Sequence, residues 1–268
     1  MPLIKIIQNI LLLALIGFCI SLKAGTKSDY SSAKKIQKTV RKIDINLYAG
    51  ATEVSNQQYK WFLEALKASG KKEKLKKCGV DSLAWEKLSE DITTCFEYFY
   101  NYHSQESYDY YPVVNIRYQA AVAFCDWLTD VYNADEGRQF KKVELRLPTE
   151  EEWLKAAHEK EAPFAWGDSS LHDPKDGGAR ARLHFIDKSN LFLRNFPAIA
   201  APVESFIKYE YDLYNIHGNV SEMLSTEGKA KGGSWYDPPE KATLKQIQIY
   251  TGPDPRIGFR YFMIVLEE

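Results

Sequence analysis

Histidine, cysteine, serine and glycine carry most metal, nucleophilic and phosphate chemistry, and their spacing is where an active site first shows. The five histidines (His103, His158, His172, His184 and His217) are scattered, with no pair spaced to put two imidazoles on one helical face. His158-Glu159-Lys160-Glu161 starts like a zinc-protease helix but lacks the second histidine four residues on. No GxSxG elbow exposes a serine, and neither GxxxxGK[ST] nor GxGxxG is present to cradle a phosphate. Glu150, Glu151 and Glu152 have a plainer role, favouring the positive end of a helix dipole. Asn219-Val220-Ser221 matches a glycosylation sequon. None of the familiar catalytic constellations is assembled by spacing alone.

The elements that would position any site belong to an ordinary globular chain. Its 268 residues are 45% hydrophobic and 26% charged, enough to bury one sizeable core. A formal net charge of -1 gives no bulk attraction to nucleic acid, and no nucleic-acid partner is expected. The first 24 residues differ from the rest: Lys5 precedes an apolar run from Ile10 to Ile20, too short to span a bilayer, and Ala24 ends a cleavage-like segment. Residues 1–24 therefore read as a secretory signal, placing the chain in the periplasm, on the outer membrane or outside the cell. Membrane contact is expected only through an N-terminus left uncut or lipidated at Cys19, although Phe18 is large for a lipidation site. Of the remaining cysteines, Cys125 falls on the apolar side of a helix, and Cys78 and Cys95 either bridge or stay free.

Residues 25–42, rich in Ser and Lys, read as a linker with a short helical turn near Ile36 to Val40. Ile43, Ile45 and Leu47 alternate as in a strand. Ser55 and Gln58 have capping-box spacing ahead of Tyr59, Phe62, Leu63 and Leu66, with Gly70 as the stop. The five lysines between Lys71 and Lys77 are either a polyanion patch or a solvated face. The tyrosine-rich stretch from Cys95 to Tyr111 is either a binding surface or a layer packed on the core. Further helices are expected over Gln119 to Tyr132 and after the Thr149/Glu152 capping box, with Trp153, Leu154 and Ala157 inward. A strand-like stretch runs from Tyr261 to Val265. The architecture reads as α+β with much irregular structure, in one domain over residues 43–266.

Several segments, taken in order, carry a resemblance. They are Glu53-Val54-Ser55-Asn56, Pro112-Val113-Val114, Arg146-Leu147-Pro148-Thr149-Glu150-Glu151-Glu152-Trp153, Trp166-Gly167, Leu213 to Met223, Lys231-Gly232-Gly233-Ser234-Trp235 and Gly258-Phe259-Arg260. The series resembles the formylglycine-generating-enzyme family, or sulfatase-modifying-factor domain, whose fold is a variant of the C-type lectin type. The resemblance implies a structural calcium site at Asn215, Gly218, Val220 and Glu222, two of them acting through backbone carbonyls. Hard oxygen donors around a Gly-containing turn suit that ion. Arg182 stands where a ligand of the family's second calcium loop is expected, so that site is not expected.

Oxidising members of the family hold copper between two cysteines after the GGS motif. Here Asp237 and Ala242 occupy those positions, and no cysteine follows Cys125. Carboxylate and methyl cannot replace a pair of soft thiolates, so copper and the oxidase reaction are not expected. The iron-dependent sulfoxide-synthase branch needs a further helical domain with histidines, for which the N-terminal segment is too short. The Gly232 to Asp237 segment looks most like the non-catalytic members of gliding-motility and type IX secretion complexes. The resulting expectation is an exported, non-catalytic module binding a protein partner in the bacterial cell envelope. Two alternatives stand beside it: an enzyme using Ser234, Asp237 and Arg260 in the same cleft, and a glycan or small-ligand binder.

Overall fold

The computed structural model describes residues 30–88, 98–158, 164, 199–205, 208 and 210–268. Residues 1–24, Cys95, Trp166-Gly167 and Arg182 lie outside the described residues. The helices form where local signals place them. Ser55 and Gln58 bond reciprocally at the start of α2 (Asn56–Ala68), preceded in the chain by α1 (Ala33–Thr39). Gly70 ends α2 in the left-handed region (φ 70°), a conformation a Cβ would strain. The lysine run then forms α3 (Lys72–Lys77), which buries no side chain fully. α4 (Tyr118–Ala134) buries Ala120, Ala121, Phe124, Cys125, Leu128 and Tyr132 along one stripe. Thr149 and Glu152 close the second capping box at the head of α5 (Glu150–Ala156), which buries Trp153.

One antiparallel sheet has the order β1-β2-β8-β3. Its strands are β1 (Val40–Lys42), β2 (Leu47–Gly50), β3 (Lys142–Arg146) and β8 (Phe262–Glu267). β8 lies between β2 and β3, which is why its Phe262, Met263 and Val265 are buried. α4 packs on this sheet and completes the outer edge of β3. Thr129 Oγ1 accepts from Leu145 N (2.8 Å), and its one proton faces both Cys125 O (3.0 Å) and Leu145 O (3.2 Å). Asn133 accepts from Val143 N (3.0 Å) and donates to Val143 O (2.9 Å). The second sheet has the order β6-β5-β4-β7. It is built from β4 (Ser221–Met223), β5 (Lys229–Lys231), β6 (Gln248–Ile249) and β7 (Ile257–Gly258), with β4 and β7 parallel.

The core is unusually aromatic where helices meet sheet. The Phe124 ring lies 5.6 Å from Phe62, 5.4 Å from Phe259 and 6.0 Å from Tyr59. The tyrosine-rich stretch is mostly a packed layer: Tyr98 and Tyr102 are buried around Trp85, while Tyr100 and Tyr110 are exposed. Cys78 and Cys125 are buried free thiols.

Two expectations are corrected. Ile43 to Asn46 is not a strand; only Leu47 is, as the first residue of β2. Ile43 N and Asp44 N both donate to Leu47 O, forming the turn between β1 and β2, and Ile45 stands 76% exposed at its tip. Asp44 and Asn46 are turn formers, and the apparent alternation is their interleaving with aliphatic residues. Residues 30–42 are not linker either. Ser32 caps α1, Asp135 Oδ2 accepts from Ala33 N (2.7 Å), and Ile36 is fully buried. Tyr30 bonds Tyr261 through the hydroxyls (3.1 Å) and sets its ring edge-on to Trp61, Phe124 and Trp127. Lysines interspersed among Ala33, Ile36 and Val40 dilute the apolar signal without removing it. The folded unit therefore begins no later than Tyr30, ahead of residue 43.

Ile36→Ala tests this boundary: urea unfolding is expected to show a loss of about 2–5 kcal/mol, as for a buried aliphatic truncated to alanine. An unchanged midpoint would mean the segment carries no stability.

Candidate functional site

The expected calcium loop is shaped by three left-handed residues, Asn215 (φ 51°), Gly218 (φ 77°) and Asn219 (φ 58°), types that tolerate this region. Backbone bonds tie it down: Tyr214 N to Ala51 O (2.8 Å), Gly218 N to Gly232 O (2.8 Å) and Ser221 N to Arg256 O (2.9 Å). Behind it, a polar cluster is sealed inside the fold. Glu53, Asn215, Asn219, Glu222 and Arg260 are each 1% exposed or less.

At its centre, Arg260 Nε and Nη2 donate to Glu222 Oε1 (3.0 and 2.6 Å). Nη1 reaches Gly50 O (2.7 Å) and Nη2 also reaches Tyr214 O (2.6 Å). The other Glu222 oxygen accepts from Trp153 Nε1 (2.8 Å). Arg260, an expected catalytic alternative, is thus placed as an internal ion-pair partner rather than facing a cleft. Glu53 accepts from Asn215 Nδ2 (3.1 Å) and Asn219 Nδ2 (2.9 Å). Burial, reinforced by the Glu222 charge and opposed chiefly by Arg260, pushes its carboxyl up to about 8. Glu53 is the residue that sequence reasoning missed. It stood in a quoted motif, yet a lone acid before a helix cap gives no sign of burial.

The donors suit a hard cation at this loop. Asn215 Oδ1 is a buried oxygen with no hydrogen-bond partner among the described residues. Glu222 Oε2 keeps a lone pair beyond the one used by Trp153. Gly218 and Val220 would contribute only through their carbonyls.

The copper positions do not fit. Asp237 is folded into a tight turn: Ser234 Oγ and Ser234 N donate to its Oδ2 (2.5 and 3.1 Å), and its own N–H donates to Ser234 O (3.0 Å). Ala242 is fully buried beneath Gly233 (φ 72°), where an added Cβ would lie 2.5 Å from the Ala242 methyl. One position is a turn acceptor and the other a packing contact, so neither presents a soft ligand. Trp235, 5% exposed, donates to Pro255 O (3.3 Å) and packs edge-on to Tyr236. Arg256, bidentate to Asp254 (2.9 and 2.7 Å), lies over the Tyr236 ring. What remains beside Asp237 is a cavity of about 180 Å³ bordered by Lys241, Gln248, Tyr250 and Arg256.

His217 is buried and His103 half-buried with its Nε2 enclosed, and both are held neutral. Burial lowers His103, bonded to Asn56 (3.0 Å), to about 3. It lowers His217, bonded to Ala242 O (2.8 Å), to about 4.

Comparison with known proteins places this arrangement. A family model described as "Sulfatase-modifying factor enzyme 1-like domain" matches residues 18–263. No curated protein sequence matches the chain. Among solved structures, CarF is similar at 23% identity and TM-score 0.51, covering 82% of this chain and 86% of its own, a likeness that speaks for the fold alone. PvdO from Pseudomonas aeruginosa (14% identity, TM-score 0.48, 81% and 80% covered) is also similar. So is Treponema denticola variable protein 1 (16%, 0.48, 85% and 91%).

The buried acid and these two histidines set a pH optimum for stability. Below about 6.5 the unfolded histidines gain protons that the folded ones refuse, and this outweighs the one proton held by Glu53, so stability falls with acid. Between 6.5 and about 8 the largest difference among the described residues is at Glu53, deprotonated when unfolded and protonated when folded, so stability falls as pH rises. Denaturant melts across pH are expected to peak near the histidine value. Glu53→Gln is expected to flatten the alkaline side, whose slope approaches about 1.4 kcal/mol per pH unit; a slope that survives the substitution contradicts the assignment.

Proposed function

The chain belongs to the sulfatase-modifying factor enzyme 1-like family, and we propose that it is a non-catalytic member, an exported structural or protein-interaction module of the bacterial cell envelope. The observation that carries the reading is the fate of the two copper positions. Asp237 closes a turn with Ser234 and Ala242 packs under Gly233, and the chain has no cysteine after Cys125 to restore a thiolate pair. Trp235 and Tyr236 pack their rings edge-on beside that turn, and the space left next to Asp237 is a cavity of about 180 Å³, which supports a scaffold reading. The apolar run Ile10 to Ile20 ahead of Ala24 supports export.

The test has a chemical arm and a cellular arm. Purified protein given copper, oxygen and a cysteine-bearing sulfatase peptide is expected to leave the thiol unchanged by mass spectrometry, and an aldehyde product overturns the reading. In a cell fractionation, the chain is expected in the envelope within a complex well above its own 30.8 kDa. Recovery as a cytosolic monomer counts against it.

Calcium is proposed as the structural ion of the same module, held by Asn215 and Glu222 side chains with the Gly218 and Val220 carbonyls. Bound there, it would supply charge to the buried oxygens and rigidity to the loop. Millimolar calcium is expected to raise Tm by about 2–4 °C over chelator, the shift that about 1 kcal/mol produces in a domain of this size. Asn215→Ala is expected to abolish the rise; an identical rise in the variant would place calcium elsewhere.

A further inference from the structure

From Tyr30 to Ile43 the chain carries Lys34, Lys35, Lys38, Arg41 and Lys42 and no acidic residue. The fold sorts this segment by face. Ala33 and Ile36 anchor α1 in the core, and Lys34, Lys38 and Lys42 stand exposed. Among the described residues none of these three is in an ion pair. Neighbouring carboxylates are chiefly engaged elsewhere: Asp135 accepts from Ala33 N and Gly137 N, and Asp44 pairs with Lys155 (2.8 Å), with Lys42 a weaker influence on its charge. Among the described residues Arg41 bonds only backbone, at Lys38 O and Val40 O (both 3.0 Å). β1 is moreover an edge strand, so the charges line the rim of the sheet.

This cationic face has a particular place in the chain. Twelve residues, 21 to 32, separate the apolar run ending at Ile20 from the first residue of α1. A chain of that length reaches no further than about 45 Å, and Lys23 and Lys27 lie within it. We propose that the exposed face of α1 and β1 rests on an anionic phospholipid surface, the one that the N-terminal apolar segment enters when it is retained. Membrane-proximal lysines are drawn to anionic headgroups in this way, with a strength that fades within a Debye length. The inference rests on the envelope reading above. The lysines of α3 form a second basic patch, but they follow no apolar segment and serve as the control.

The experiment uses the full chain with vesicles of neutral phosphatidylcholine and vesicles containing about a third phosphatidylglycerol. Binding to both is expected through the apolar segment, with at least a tenfold preference for the anionic vesicles at low salt that collapses at high salt. K34E/K38E is expected to remove the preference while keeping the wild-type Tm, and K72E/K76E, an equal change in charge, to retain it. Equal binding to both vesicle types overturns the proposal. So does an unaltered preference in K34E/K38E, or equal losses in the two variants, which would make net charge the cause. Displacement by inorganic phosphate at constant ionic strength would also overturn it, in favour of a free-phosphate site. Loss of lipid preference with the chain still in an envelope complex sinks this inference alone, whereas a cytosolic monomer sinks the envelope reading.

Discussion

The guanidinium of Arg260 and the carboxylate of Glu222 meet at 2.6 Å with no access to water, and the surrounding structure is arranged around that contact. Desolvating two charges is expensive, and their attraction offsets it only when the remaining donors and acceptors also find partners. Here all three guanidinium nitrogens and both carboxylate oxygens are bonded, and the partners come from separate parts of the chain. Gly50 at the end of β2, Tyr214 in the loop, and Trp153 on α5 each supply a hydrogen bond. Glu222 sits on β4 of the second sheet, and Arg260 lies two residues before β8 of the first. One ion pair thus joins both sheets, a helix and the loop. Removing either charge would leave the other buried and uncompensated, a loss of about 3–5 kcal/mol in comparable cases.

That contact also explains the chemistry around it. An arginine committed to the interior is not available to a substrate. Its charge acts instead on Glu53, opposing the burial that raises that carboxyl. The loop from Asn215 to Val220 lies over the cluster and draws its shape from it, since Asn215 and Asn219 both donate to Glu53. Next to it, Gly232 to Asp237 forms a serine–aspartate turn against which the Trp235 and Tyr236 rings pack.

What was legible in the sequence follows the range of the interactions. Capping boxes at Ser55 and Thr149 and the stripe on α4 are set by neighbours three to seven residues away, and they stand where the pattern places them. The family likeness was legible because its motifs lie at the anchor points of the fold: Trp153, Glu222 and Arg260 each come from one. The edge strand β3 was not read as a strand, since its Lys, Glu and Arg face outward and only Val143 and Leu145 point inward. Tyr30 was missed because its contacts with Tyr261, Trp61 and Phe124 span from 31 to 231 positions. Glu53 was missed for the same reason, as its partners lie more than 160 residues on.

The side chains of Thr129 and Asn133 bear on how this molecule behaves in a crowded compartment. By bonding the N–H of Leu145 and both the N–H and the C=O of Val143, and by standing over the C=O of Leu145, they occupy the rungs that another molecule's strand would need. An edge so filled offers no template for cross-molecule ladders, the first step toward amyloid-like stacking. The opposite margin of the sheet, β1, is protected differently, by the like charges of Arg41 and Lys42 that repel a second copy. Two unrelated devices, one of hydrogen bonding and one of charge, keep the sheet from growing beyond its own chain.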